Sequence, residues 1–383
     1  MDFTLSEEQR LLQDLVRRFV DNEYGFERRR AYAKNAEGFS RENWRKLAAL
    51  GLLGLPFPEA DGGSGGSPVD VMLVMEQFGR GLVLEPYLAS VILAGGLIAR
   101  SGSETQRRTL LAPLIEGALL LAFAHGEPQS RYTLSNVETT ARPTESGFVI
   151  SGRKAVVLHG DVADKLIVSA RTSGNRTDAH GISLFVVDKN APGLTVRGVP
   201  TIDGLRSAEL TLADVDVGPD ARLGALDDAL TVIDRTIDAA TAAICAEAVG
   251  AMAALLETTL DYLKTRQQFG GPIGRNQALQ HRMVDMQIAF EQAKSMALLA
   301  AQMAASPDDV ARHRAVSAAK IQIGRSGKFI GQQAIQLHGG IAMTDEYKAS
   351  HYFKRLTMIG ATFGDADHHL GRFSALETNT EAA

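Results

Sequence analysis

Several groups of residues in this chain have side chains suited to chemistry. Arg266 opens the stretch Arg266-Gln267-Gln268-Phe269-Gly270. Its guanidinium is a planar fork that stays charged and matches phosphate oxygens, although an arginine at a helix end is also an ordinary solvated residue. Gly339 and Gly340 are adjacent, and two missing side chains let a backbone come close to a ligand. The same pair also suits a helix end followed by a turn. His125, Glu127, His159 and Asp365 are the residues able to act as a general base, and a histidine titrates in the useful range. His368 and His369 follow Asp365 and Asp367, a pattern that suggests a metal site. Neighbouring residues on a helix point about 100° apart, so the two imidazoles do not converge and no metal is expected. Cys245, the only cysteine, lies in the apolar run Ala242–Ala246 and reads as a buried structural thiol.

The elements that must position these residues fall into an α, then β, then α order, an α+β fold class. Residues 1–120 read as a helical domain. Thr4 is placed to cap the first helix with Glu7 as its capping-box partner, and Leu11, Leu12, Leu15, Val16 and Phe19 recur at helical spacing. Further helical patterns cover Arg41–Leu50, Val69–Phe78, Pro86–Ile98 and Glu104–Glu116, with the turn-rich Asp61–Pro68 between the first two. Residues 121–225 read as short strands: Gly147–Gly152, Lys154–Leu158, Lys165–Ala170, Ile182–Val187, Leu194–Val199, Glu209–Leu212 and Val215–Val217. Such a series suggests a barrel or two packed sheets, with Arg171–His180 as an exposed hairpin loop. Residues 226–376 read as a four-helix bundle built from Leu226–Thr265, Asn276–Ala305, Asp308–Leu337 and Phe363–Ala375. Residues 377–383 read as a polar, frayed tail.

The chain has 383 residues, 45% hydrophobic and 22% charged, with a net charge of −5. These values suit a globular protein of two or three domains and give no basic face for nucleic acid. The N-terminus MDFTLSEEQR lacks the pattern of a signal or transit peptide. No uncharged apolar run approaches the roughly 20 residues that cross a bilayer. With a single cysteine, these features lead us to expect a cytoplasmic protein without membrane insertion.

Five stretches, in order, resemble the acyl-CoA dehydrogenase family over almost the whole chain: DFTLSEEQRLLQDLVRRFV (Asp2–Val20), LGLLGLPFPEADGGSGGSPVD (Leu50–Asp70), SAELTLADVDV (Ser207–Val217), DYLKTRQQFGGPIGRNQALQH (Asp261–His281) and QAIQLHGGIAMTDEY (Gln333–Tyr347). Within the family the chain is most similar to a two-gene branch, the small subunits of the pimeloyl-CoA dehydrogenase type. The resemblance implies an N-terminal helical domain, a central β barrel or sandwich and a C-terminal four-helix bundle. It also implies FAD between the β domain and the bundle, an acyl-CoA substrate, a neighbouring subunit completing the site, and an electron-transfer flavoprotein or similar acceptor. In such enzymes a carboxylate takes the α-proton while hydride leaves the β-carbon for the flavin. By position, Arg266 would meet the FAD diphosphate across the dimer, with Gln268, Phe269, Asn276 and Gln277 continuing that wall. Gln336, Gly339 and Gly340 would line the partner's adenosine half. Phe123–Tyr132, including His125 and Gly126, would edge the flavin ring, with Val156–Leu158 behind it.

The departures from the family are as informative as the matches. The family's glutamate falls sixteen residues after Tyr347, at Phe363, with Gly364 matching the glycine that follows it. Phenylalanine cannot accept a proton, and losing a placed base costs at least about 10²–10⁴ in rate. The family's alternative base position is Ala240, and the next residue, Thr241, stands where many members place an arginine beside the substrate. Leu158 replaces a threonine at the flavin ring, Val156 an aromatic, Tyr132 a serine near the diphosphate, Asp365 a threonine near the cofactor, and Asp367 a common glutamine. The substrate contacts carried over are Thr241 and Phe363. Three readings fit. The first is the base-lacking small subunit of a heterotetrameric dehydrogenase with a homologous large subunit. The second is a self-sufficient flavoenzyme, as a homotetramer, with a different base. The third is a non-catalytic acyl-CoA- or FAD-binding relative. A dicarboxylyl-CoA substrate and a place in fatty acid metabolism follow from the resemblance alone.

Overall fold

The computed structural model describes residues 5–380. Helix α1 (Glu7–Glu23) starts at Ser6, whose hydroxyl accepts the Gln9 amide while the Gln9 side chain returns to the Ser6 amide. The capping box is therefore Ser6–Gln9. The expected cap Thr4 lies outside the described residues. After α2 (Phe26–Ala33) and α3 (Arg41–Ala49), α4 (Pro68–Gly81) begins at a second box, Ser67–Asp70, with proline in its first turn. The segment read as one helix over Pro86–Ile98 is instead a π-helix over Tyr87–Gly95 that runs into α5 (Gly96–Ser101). The side chains holding this wider coil are Tyr87, whose hydroxyl donates to the Leu52 carbonyl at 3.1 Å, and Ser90, whose hydroxyl donates to the Leu121 carbonyl at 2.6 Å. Helix α6 (Glu104–Ile115) completes the N-terminal helices.

The β region comprises β1 (Leu121–Ala124), β2 (Thr140–Thr144), β3 (Gly147–Leu158), β4 (Lys165–Arg171), β5 (Ile182–Asp188), β6 (Leu194–Pro200), β7 (Arg206–Val217) and β8 (Arg222–Leu223). They form a single sheet in the order β6-β7-β3-β2-β4-β5-β8, with β1 added parallel to β4. The two runs expected over Gly147–Gly152 and Lys154–Leu158 are one strand, β3, interrupted by register shifts. Its long antiparallel ladder with β7 joins them across the break, because paired amides favour continuing the strand. Ile150, Val157, Leu166, Val168, Phe185, Leu210 and Val215 form the core of this region.

Helix α7 (Leu230–Thr265) is followed by the small hairpin β9 (Gln267–Gln268) and β10 (Gly271–Pro272). Then come α8 (Gln277–Met303), α9 (Asp309–His338), α10 (Lys348–Ala361) and α11 (Ala366–Thr380). Helix α10 is not anticipated by the sequence patterns. Helix α11 continues to Thr380, into the segment expected to fray. Helix α7 has the length and composition of a bilayer-crossing helix, but 89% of its most apolar 18-residue window is buried in the protein, which is how a core helix behaves.

The chain divides into two compact units. One holds the described residues of Met1–Tyr32, Ser67–Val83 and Thr241–Ala383, and the other holds Ala33–Gly66 and Leu84–Ala240. In the first unit α4 and α7 cross closely at two glycines. A Cβ on Gly79 would stand 1.9 Å from the Glu247 carbonyl oxygen, and one on Gly250 would stand 1.7 Å from that of Glu76. Beside the crossing, Arg355 of α10 binds both carboxylate oxygens of Glu247 at 2.5 and 2.7 Å, with both side chains buried.

Candidate active site

In the β-rich unit, β1 carries Phe123 into the loop His125–Tyr132. The Phe123 and His125 rings stack with centroids 5.4 Å apart. His125 Nδ1 lies 2.8 Å from the Ser169 hydroxyl. Burial, then the neighbouring Lys154 charge, pulls this imidazole down to about 3. A base that weak is a poor proton acceptor at neutral pH. Glu127 fares no better. Burial alone would push its carboxyl up, but the Lys154 ion pair and hydrogen bonds outweigh this and hold it at about 2. His159, at φ +51, is buried edge-on to the Phe39 ring, its centroid 6.4 Å away.

On β3 the register breaks between Lys154 and Val157, and Val156 adopts φ +54. A β-branched residue does not choose that conformation. The bulge turns Val156 outward to 68% exposure, and Leu158 follows half-buried. Ala155 N donates to the Gly126 carbonyl at 2.8 Å, so the loop and the bulge are joined directly. Tyr132, at the end of the loop, lies under the Arg131 guanidinium, 5.4 Å from its ring centroid.

In the helical unit, Arg266 leaves the end of α7 and enters the β9–β10 hairpin. Phe269 at φ +52 and Gly270 at φ +83 form its two-residue turn. The turn holds Phe269 wholly in solvent. Arg266, Gln268, Asn276 and Gln277 are exposed around it, and the Arg266 guanidinium has no hydrogen-bond partner among the described residues. At the end of α9, Gln336 is exposed and Gly339 takes φ +66, with open space where a Cβ of Gly339 or Gly340 would stand. An aromatic cluster brings the two segments together. His338 lies 4.6 Å from the Tyr262 ring, one turn before Arg266, and 5.1 Å from Tyr347. The Arg266 hairpin and the Gln336–Gly340 segment thus share one end of the helical unit.

Phe363 sits in the turn between α10 and α11 at φ +58, half-buried. Its surroundings are fixed by Lys320, which sequence reasoning missed, and by His369, which it had considered only as a metal ligand. Lys320, buried on α9, donates to the carbonyls of Gly360 at 3.1 Å and Gly364 at 2.6 Å. His369 Nε2 lies 3.0 Å from the Phe363 carbonyl and its Nδ1 lies 3.3 Å from the Ser317 hydroxyl. Burial, then the Lys320 charge, brings His369 down to about 3. Both its nitrogens are engaged, and its ring is nearly perpendicular to that of His368 at 86°, so the pair does not chelate one ion. Asp365 is occupied at the start of α11, where Oδ1 accepts the His368 amide at 2.9 Å. Ala240 and Thr241 are fully buried within α7, as is Cys245, whose thiol burial pushes up to about 12. The sequence signal for Lys320 was a lysine inside the largely small and apolar stretch Ala315–Ile323; for Lys154 it was a lysine at an inward strand position.

Family models for the acyl-CoA dehydrogenase N-terminal, middle and C-terminal domains match residues 6–118, 122–215 and 229–373. The probable acyl-CoA dehydrogenase YngJ of Bacillus subtilis is 32% identical over 355 residues, covering 91% of this chain and 92% of that protein. The crystal structure of the ChsE4–ChsE5 complex from Mycobacterium tuberculosis is similar with a TM-score of 0.88, at 28% identity and 99% coverage of both chains. The FAD complex of PigA gives a TM-score of 0.90, at 27% identity and 98% coverage of both chains. The chain belongs to the acyl-CoA dehydrogenase family, FAD-dependent oxidoreductases that act on the CH–CH bond of acyl-CoA thioesters. The residues here suit that cofactor. A free guanidinium and a glycine pair meet the needs of a dinucleotide's phosphates and sugars, and exposed Val156 and Phe269 offer apolar surface to a ring. The carboxylate of Asp365, which would repel a diphosphate, is engaged by an amide and lies in the field of Lys320.

Proposed function

We propose that this chain is the base-lacking small subunit of a heteromeric acyl-CoA dehydrogenase, whose homologous large subunit carries the carboxylate that removes the α-proton. The observation that carries the reading is Phe363, held at φ +58 by Lys320 and His369 in the turn where the family places its glutamate. The substitutes are unsuited: His125 is too weak a base, Glu127 is locked in an ion pair, Asp365 caps a helix, and His159 is buried against the Phe39 ring. What this chain offers is a wall. Arg266 would take a diphosphate through its fork, Phe269 would give an aromatic face, and Gly339–Gly340 would let backbone approach the nucleoside. Bound FAD supplies the hydride acceptor.

Val284 and Ile288, one turn apart on α8 and both more than half exposed, present an apolar stripe suited to contact between subunits in a heterotetramer. The likeness to ChsE4–ChsE5, a complex of two proteins, supports a two-chain assembly. The resemblance to the pimeloyl-CoA dehydrogenase small subunits supports a dicarboxylyl-CoA substrate, a role in fatty acid metabolism, an electron-transfer flavoprotein as acceptor and a cytoplasmic setting. The test is purification alone and after co-expression with a homologue that retains the glutamate. The account expects a stable, flavin-coloured complex that oxidises acyl-CoA. Equal activity per flavin from this chain alone would contradict it.

A further inference from the structure

A buried polar network lies behind the two segments read as flavin-facing. Lys154 is 1% exposed, and its ammonium donates to Glu127 Oε1 at 2.7 Å, the Ser169 hydroxyl at 3.1 Å and the His125 carbonyl at 3.3 Å. Glu127 also accepts the amides of Glu138 at 2.7 Å and Thr139 at 3.1 Å, and the Gln129 side-chain amide at 2.6 Å. Ser169 in turn meets His125 Nδ1 at 2.8 Å. A single ammonium thus ties together the loop after β1, strand β3 and strand β4.

Burying two ions is costly, and an apolar pair of similar volume would often stabilise the fold as well or better. An ion pair adds direction. The three protons of an ammonium can reach different partners, and here two go to the loop after β1 and one to β4. The location is also specific. Lys154 is the last inward residue before β3 leaves register and presents Val156 to solvent. Glu127 directly follows Gly126, whose carbonyl receives the Ala155 amide.

We propose that Lys154 and Glu127 are positioning residues that lock the loop Phe123–Tyr132 against the bulge Val156–Leu158, so that FAD meets a preformed wall. Preorganisation of this kind lowers the ordering cost that binding would otherwise carry. The inference rests on the reading that these two segments face the flavin ring.

The test replaces both charges together, Lys154→Met with Glu127→Gln, leaving no unpaired buried ion. Glu127→Gln alone keeps one oxygen acceptor, for either the Glu138 or the Thr139 amide, and serves where the double variant is unstable. The measurements are the melting temperature of the apoprotein, amide hydrogen exchange over residues 125–138, FAD affinity by titration, and the visible absorption band of bound flavin. The proposal expects faster exchange in that loop, a dissociation constant for FAD raised at least about tenfold, and a shifted band. A pair with only a structural role would lower the melting temperature and leave the affinity and band of the folded fraction at parental values, which overturns the proposal. If the parent binds FAD and the variant binds it equally, only the positioning role falls. If the parent binds no FAD, alone or with its partner chain, the reading of the segments falls with it.

Discussion

Phe363 occupies a conformation that a phenylalanine does not favour, and it persists because two buried titratable residues hold the backbone around it. Lys320 satisfies the carbonyls of Gly360 and Gly364, and His369 satisfies that of Phe363. Lys320→Met would leave those buried acceptors unpaired and cost about 1–3 kcal/mol, with faster amide exchange around the turn. Unchanged exchange there would contradict the account of the turn.

The same buried groups set the acid behaviour. His125 and His369 stand at about 3 in the fold against 6.5 ordinarily, so the unfolded chain binds more protons between those values. Stability therefore falls as pH drops from about 6.5 to about 3. Glu127, at about 2 against 4.5, has the same sign between pH 4.5 and 2. A tenfold difference in proton affinity between folded and unfolded chain is worth roughly 1.4 kcal/mol. Urea unfolding at a series of pH values checks this: His369→Gln should flatten the loss between pH 6.5 and 3, and Glu127→Gln the loss between pH 4.5 and 2. A parent curve that is flat from pH 6.5 to 3 would contradict the assignment. At this scale the sequence singles out Phe363, Arg266 and Gly339 by identity at a position. It was illegible for Lys154 and Lys320, whose importance comes from burial beside particular carbonyls, and only tertiary structure sets that.

At the scale of elements, the close crossing of α4 and α7 depends on Gly79 and Gly250. Gly250→Ala would force a Cβ into the Glu76 carbonyl, which only a shift of the helices relieves. The expected cost is about 3 kcal/mol, more than the small gain in helix propensity, measured by chemical denaturation. The β9–β10 turn gives the opposite case. Phe269 contributes no burial and sits at positive φ, so Phe269→Gly should leave the isolated chain at least as stable while weakening FAD uptake or assembly. Retained uptake and assembly in that variant would remove Phe269 from the proposed wall. Helix periodicity located α7, α8 and α9 well, because each carries a long apolar stripe. Three features escaped it. The π-helix over Tyr87–Gly95 has an α-like pattern and differs only in which carbonyl each amide meets. Helix α10 follows a glycine pair and polar turn that read as a loop. Strand β3 was split at Gly152 and Arg153, where a bulge looks like a turn.

At the scale of the molecule, three domain-family matches in order agree with the α, β, α texture of composition along the chain. The family was legible because five separated motifs kept their order, and one of them fixed the count that leads to Phe363. What the sequence left open was whether another group replaced the glutamate, since a pKa depends on neighbours folded in from elsewhere. His125, Glu127 and Asp365 are each already committed to structure and His159 is buried against the Phe39 ring, which supports the proposal that another chain removes the proton. The direct test is the rate of acyl-CoA oxidation by the reconstituted two-chain complex when the partner's aligned glutamate is changed to glutamine, beside the same complex carrying Phe363→Leu. The account predicts a fall of at least about 10²-fold for the first and less than about tenfold for the second. Activity that survives loss of the partner's glutamate would contradict it.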